Sequence, residues 1–259
     1  MALEKTVAIV TGGGRGIGRA IAERLAAEGA AVAVNALHQE SAEDATRAIR
    51  ARGGRAIAVP ADVADPVAVT QMVESAAAEF GTPNLMVANA GIVQVRPFLE
   101  ISPEDLAAVL RVNVHGFVNC AQAAARAMIA AGIPGKIIGA SSISGRQGYA
   151  FMGHYSATKF AIIGLVQTAA KELAQHGITV NAYVAGMVET DMATTIGDGV
   201  GAIFGVPASV ALAEFVKTIT LGRMQRPEEV AGLVAYLASA DADYMTGQAV
   251  AIDGGITFS

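Results

Sequence analysis

Apolar residues in this chain fall into two kinds of run that alternate from end to end. Short, nearly continuous apolar stretches rich in Val, Ile and Ala occupy Val7–Val10, Ala31–Val34, 57–59, Leu85–Ala88, 136–139, 179–184 and Ala249–Ile252. Between most of them lie longer segments in which apolar positions recur with helical spacing. Strands that are apolar on both faces, separated by helices, are the pattern of a parallel sheet covered on both sides. The expected fold class is therefore α/β: a doubly wound, mostly parallel seven-stranded sheet with helices on both faces. No linker or shift in composition divides the chain, so residues 1–259 are read as a single domain.

Local signals punctuate the helices. The first closes at Gly29, the second is expected to be capped by Ser41 and stopped at Gly53 and Gly54, and the third opens with Asp65 as N-cap and Pro66 at the first helical position. A long helix opens at Ser102-Pro103-Glu104-Asp105 and runs to about Ala131; another covers 155–175, and one starts at Arg226-Pro227-Glu228-Glu229. The stretch 190–207, TDMATTIGDGVGAIFGVP, is Gly-rich and weakly periodic. It predicts a mobile lid, within about 187–218, rather than a packed element.

Composition removes several function classes. Residues are 53% hydrophobic and 16% charged, which supports a buried core and argues against disorder. Alanine supplies much of the apolar content. The greasiest segments are broken by Arg111, Arg126, Lys159 and Lys171, short of the ~20 apolar residues a membrane span needs. The net charge of −5, with no basic cluster, gives nucleic-acid binding little support. The lone Cys120 can form neither an internal disulfide nor a metal cluster, and His38, His115, His154 and His176 show no metal-ligand spacing. With no secretory leader evident in MALEKTVAIV, a cytoplasmic protein without a metal site is expected.

The first strand runs directly into TGGGRGIG, residues 11–18, which then opens a helix. Glycines let the backbone approach a diphosphate while the helix N-terminus offers free N–H groups and a favourable dipole. The context is that of a Rossmann-type dinucleotide site, although the spacing Gly12-x3-Gly16-x-Gly18 departs from the usual GxGxxG. The second strand ends Val34-Asn35-Ala36-Leu37-His38, without the acid that would bind the ribose 2′-hydroxyl of NAD. Arg15 offers a charge-assisted partner for a 2′-phosphate. NADP(H) is favoured, with NAD(H) as the other option.

Tyr155 and Lys159, in YSATK, lie one helical turn apart and share a face. With the glycine loop, NAG at 89–91, Asn113 and Ser142 in GASSIS, thirteen residues before Tyr155, they resemble the short-chain dehydrogenase/reductase family over essentially the whole chain. The resemblance implies that Tyr155 acts as general acid toward a carbonyl oxygen and as base in reverse. It also implies that Lys159 lowers the phenol pKa and holds the nicotinamide ribose, Ser142 orients the substrate oxygen, and Asn113 holds a water relaying protons from Lys159. The same resemblance assigns Asp62 and Val63 to the adenine, Asn89, Ala90 and Gly91 to the strand-end turn against the cofactor, Ile17 to the diphosphate, and Val188 and Thr190 to the carboxamide. Asn35 and Gly186 complete the expected cofactor contacts. Ala185-Gly186 stands where the family commonly has Pro-Gly, which relaxes that turn.

Within the family, 214–255 and 178–192 are similar to acetoin (diacetyl) reductases and 2,3-butanediol dehydrogenases. Polyol dehydrogenases and 3-oxoacyl-carrier-protein reductases are the alternatives. Reversible reduction of a small ketone or α-hydroxyketone to a secondary alcohol is thus implied, with Met187, Ile196, Ile203 and Phe204 offering apolar contacts. The family pattern also implies a homotetramer built on helices 103–131 and 155–175. A nucleotide-sensing protein without catalysis is the alternative from another class; the complete set of Ser142, Tyr155 and Lys159 favours the enzyme.

Overall fold

The computed structural model describes residues 3–258. Its strands are β1 (Val7–Val10), β2 (Ala31–Val34), β3 (Arg55–Ala58), β4 (Leu85–Ala88), β5 (Gly135–Ser142), β6 (Ile178–Ala185) and β7 (Ala249–Ile252). They form one sheet in the order β3-β2-β1-β4-β5-β6-β7, with parallel pairing throughout. Successive side chains of a strand point to opposite faces, and each face has its own buried layer. Ala8, Val10, Val32 and Val34 face α1 (Gly16–Ala27), α2 (Gln39–Ala51) and α9 (Pro227–Ala238). Ile9, Ala33, Met86 and Ala88 face α3 (Pro66–Phe80), α5 (Gly116–Ala131) and α6 (Gly153–Leu173).

This double covering explains the continuous apolar strands, because neither face meets water. The strand order reverses between β1 and β4, and the loops after those two strands open into the crevice where doubly wound folds bind ligands. The cap signals at two helices act as read. The Asp65 carboxylate accepts from the N–H groups of Val67 and Ala68 at 2.8 and 3.3 Å. Ser102 and Asp105 form a reciprocal capping box at the start of α4 (Pro103–Val109).

Several boundaries differ from the sequence expectation. β3 begins at Arg55, two residues early, because parallel pairing with Ala31 extends it into a polar position. α2 starts at Gln39 with His38 as N-cap; Ser41 instead packs against the backbone of Gly14. The long helix is interrupted between α4 and α5 by a π-helical turn, Leu110–His115, which holds Asn113. The stretch 190–207 is not loop. It forms α7 (Asp191–Phe204) and leads into α8 (Ala208–Val216), the two bent by 107°. Its glycines weakened the helical signal but suit close packing: a side chain at Gly197 would strike Leu212, and one at Gly199 would strike Val95. No single helix among the described residues is long and apolar enough to cross a membrane.

Candidate active site

The glycine loop after β1 is braced from β4 and β6. Thr11, almost wholly buried, accepts the N–H groups of Asn89 and Ala90 on its hydroxyl at 3.0 and 3.1 Å. The Asn89 amide donates to the Thr11 carbonyl at 2.8 Å, and its Oδ1 accepts the Tyr183 hydroxyl at 2.7 Å. The chain is therefore held at 11–12 by a network that spans three strands. Gly12 and Gly16 have φ of 62° and 53°, the left-handed region that favours glycine. At Gly18 a Cβ would collide with the Gly12 carbonyl and the Asn89 amide. No side chain caps the start of α1. A loop of this shape fits a dinucleotide: its backbone is bare, and the helix N–H groups beyond it are left for an anion.

The second half of the site gathers at the C-terminal end of β5. Ser142 ends that strand, Tyr155 and Lys159 share a face of α6, and Asn113 comes from the π turn. Both Tyr155 and Lys159 are buried, at 6% and 5% exposure. The Lys159 ammonium donates to the Ala140 carbonyl at 2.9 Å and stands 5.4 Å from the centre of the Tyr155 ring. Asn113 Oδ1 accepts the Ile92 N–H at 2.8 Å, while its Nδ2 donates to the Ile92 carbonyl and the Thr158 hydroxyl, each at 3.0 Å. A side chain at Gly91 would come within 3.2 Å of Asn113 Oδ1 and 3.6 Å of Lys159 Nζ, so that glycine keeps the floor between them open.

Burial sets the electrostatics here. Loss of water pushes the Tyr155 phenol up to about 12, partly offset by a hydrogen bond with Ser142, and pushes the Lys159 ammonium down to about 8. In the protein alone burial therefore outweighs any lowering of the phenol by Lys159. The ammonium stands over the ring and is hydrogen-bonded to Ala140, and desolvation is the largest cause at both groups.

Similarity to known proteins agrees with this geometry. A family model described as Enoyl-(Acyl carrier protein) reductase matches residues 12–257. An L-2,3-butanediol dehydrogenase of Corynebacterium glutamicum is 44% identical over 98% of this chain and 99% of its own. The chain belongs to the short-chain dehydrogenase/reductase family. A diacetyl reductase, (S)-acetoin forming, from Staphylococcus epidermidis is 40% identical, covering 97% of this chain and 98% of the relative. The crystal structure of a short-chain type dehydrogenase/reductase from Mycobacterium marinum superposes with a TM-score of 0.91 at 37% identity, covering 99% of this chain and 97% of the other. This short-chain dehydrogenase/reductase is accordingly an NAD(P)(H)-type oxidoreductase acting on CH–OH groups.

The other residues expected to contact cofactor are distributed less simply in this short-chain dehydrogenase/reductase. Asn35 is buried, and its amide donates to the Val59 and Ala61 carbonyls at 2.9 and 3.1 Å, tying the end of β2 to the chain after β3. Asp62 pairs with Arg111 at 3.0 Å and accepts the Ala64 N–H. Val63 is buried against α5, and Ile17 packs on the core of the α1 layer. Gly186 sits against the backbone of Asp253, Val188 bridges to Gln225, and Thr190 lies beside Gly16. Arg15 is exposed and pairs with Asp191 at the start of α7 at 3.0 Å, joining the glycine loop to that helix.

The sequence reading missed Thr11, Tyr183, Ser141 and Thr158. Each acts through backbone or side-chain hydrogen bonds to a named site residue, such as the Ser141 hydroxyl donating to the Lys159 carbonyl at 3.0 Å. Only their positions at strand ends and beside Lys159 could have drawn attention to them. His154, left without a role, is buried with both ring nitrogens unpartnered, a packing residue whose pKa is lowered by desolvation.

Next to Tyr155, behind the side chains it packs against, lies an apolar chamber of about 190 Å³, lined by Tyr149, Phe151, Met152, Met187, Ile196 and Phe215 among others. Tyr155 itself packs in a cluster with Val95, Met152, Phe151 and Ile196, the last three of which line the chamber. Phe151 adopts a φ of 66°, a conformation costing ~1–3 kcal/mol for a bulky residue. Its carbonyl accepts the Arg96 N–H at 2.8 Å, and its ring meets Phe204 of α7 edge-on at 5.5 Å.

Proposed function

We propose that the protein reversibly reduces a small ketone or α-hydroxyketone, of the diacetyl or acetoin kind, to a secondary alcohol, with NADP(H) as the preferred cofactor. The observation that carries this reading is that Ser142, Tyr155 and Lys159 come together and that Tyr155 packs against Met152, Phe151 and Ile196, residues that line a small apolar chamber. Its size suits a substrate of a few carbons, and its lining offers no charge for a carrier's phosphate and little beyond the Tyr149 hydroxyl to bond the hydroxyls of a sugar. The bare glycine loop and Lys159 would hold NADP(H), which supplies the hydride when bound. Ser142 donates a hydrogen bond to the substrate oxygen and orients it. Tyr155 gives its proton to that oxygen as negative charge develops there, and takes one back in the oxidative direction. Lys159, with its pKa near 8, is poised to restore the proton and to stabilise the phenolate once the substrate has drawn the proton away. Asn113 retains a second lone pair on Oδ1 for a water beside Lys159.

The absence of an acid at 35–38 and the guanidinium of Arg15 at the loop support NADP(H). A homotetramer in the cytoplasm completes the proposal, supported by exposed Leu106, Ile129 and Phe160 on α4, α5 and α6; its test is the mass in solution by light scattering. The central experiment is Tyr155→Phe, assayed with diacetyl, acetoin, butanediols, sugar alcohols and 3-oxoacyl thioesters with both cofactors. A loss of at least ~10²-fold in kcat is expected for the phenylalanine variant, from loss of a positioned acid, with NADPH still bound. Substantial residual turnover, or a polyol or thioester preferred over diacetyl, would overturn the proposal.

A further inference from the structure

A second cavity, of about 140 Å³, adjoins the chamber beside Tyr155, and Met187 is the residue that lines both. The two differ in chemistry. The chamber beside Tyr155 is walled by aromatic and aliphatic groups, whereas the second combines Ile219 and Ile252 with Arg223, Gln225, Glu229 and Asp253. Much of that polar wall is already paired. Arg223 grips Glu229 through two contacts at 2.6 and 2.9 Å, and Asp253 accepts from Gly255 and Thr257. Gln225 is the exception: its Oε1 is buried and has no hydrogen-bond partner, although its backbone is fixed by Met187 and Glu189. A buried acceptor left unpaired costs ~1–3 kcal/mol, and a turn of the Gln225 carboxamide toward the cavity it lines would let an incoming donor recover it.

Met187 suits a movable divider. Its backbone carbonyl is held by the Gln225 N–H at 2.9 Å, while its side chain is unbranched, with three rotatable bonds. It packs in a cluster with Ile219 on one side and Ile196, Leu212 and Phe215 on the other. We infer that the second cavity is a distal substrate subsite, closed by the Met187 side chain, that takes the tail of a longer ketone ending in a hydroxyl or other hydrogen-bond donor, with Gln225 as acceptor. The inference rests on the reading of the chamber beside Tyr155 as a ketone site. The enzyme then separates short ketones, which fit with Met187 in place, from longer ones that must displace it.

The test measures kcat/KM for butan-2-one, hexan-2-one and 6-hydroxyhexan-2-one in the unaltered protein, Met187→Ala and Met187→Ala/Gln225→Leu. Met187→Ala is expected to raise the ratio of 6-hydroxyhexan-2-one to butan-2-one at least tenfold. Adding Gln225→Leu is expected to bring the hydroxylated and plain six-carbon ketones to equal kcat/KM. An unchanged length profile in Met187→Ala, or a hydroxyl preference that survives Gln225→Leu, overturns the inference. If Met187→Ala does not fold, Ile219→Phe decides with Met187 retained: filling the cavity should lower the same ratio at least threefold, and no change overturns the subsite. Failure of the unaltered protein to reduce any ketone would instead defeat the reading of the chamber itself.

Discussion

Replacing Lys159 by methionine should change the pH dependence of stability in a direction set by burial. The ammonium is 5% exposed and its pKa falls from 10.5 to about 8. The protein therefore carries a charge at neutral pH that it holds less comfortably than the unfolded chain does. Between two and three pKa units at ~1.4 kcal/mol each amounts to about 3 kcal/mol of penalty. The sign follows from proton counts. Below pH 8 both folded and unfolded chains hold the proton, and the penalty is present in full. Between pH 8 and 10.5 the folded chain releases it first, the unfolded chain binds more protons, and stability rises with pH by at most ~1.4 kcal/mol per unit. Lys159→Met removes both the penalty and its relief. Urea unfolding at pH 7.0, 8.5 and 9.5, on protein free of cofactor, should give a methionine variant whose stability relative to the unaltered protein declines by about 1–2 kcal/mol across the range. The loss of the bond to Ala140 shifts every point equally and leaves the slope intact. A difference independent of pH, or one that grows in favour of methionine, would refute the claim that Lys159 is held charged against its surroundings. Activity should be lost in the same variant, the usual exchange between stability and function at such sites.

Three other substitutions or probes read separate parts of the site. Tyr183→Phe removes the donor to Asn89 Oδ1 inside the brace of the glycine loop, which should cost ~1–3 kcal/mol, lower Tm by about 3–10 °C and weaken NADPH binding; a Tm within 1 °C of the original would show that the brace carries no load. Ala36→Asp, at the end of β2, should move the ratio of kcat/KM for NADPH over NADH toward NADH, and a starting preference for NADH would contradict the proposed cofactor. Cys120 is buried and its thiol is pushed up to about 12, so it should resist a disulfide reagent at pH 8 in native protein and react promptly in denaturant; fast labelling of the native form would refute its burial.

How far the sequence could be read depended on whether a signal was local. Asp65 before Pro66, and Ser102 three residues before Asp105, announce helix starts because a cap needs only its own next turn. The second helix shows the limit: Ser41 is a good capping residue, yet the helix begins at Gln39, because Ser41 packs against the glycine loop. The sharpest miss is α7. Its three glycines, with Gly205 just beyond, read as loop when only propensity is weighed, but Gly197 and Gly199 let the helix lie close to Leu212 and Val95, and that packing compensates for their poor helix propensity. The π turn around Asn113 was equally invisible, since nothing in LRVNVH differs in kind from an α-helical stretch.

The alternation of apolar strands and amphipathic helices determined the α/β class, because burial on both faces of a parallel sheet leaves a pattern in the chain itself. The spacing of Tyr155 and Lys159 determined that they would be neighbours, because four residues are one helical turn. Only the tertiary structure decided what those neighbours are. Folding buries both, raising one pKa and lowering the other against the simple expectation for a tyrosine beside a lysine. It also turned Asn35 and Asn89 into braces, joined Arg15 to Asp191, and set Met187 between two cavities. Those outcomes depend on how much water each group loses and which distant atoms replace it, quantities that arise only when segments far apart in sequence pack together.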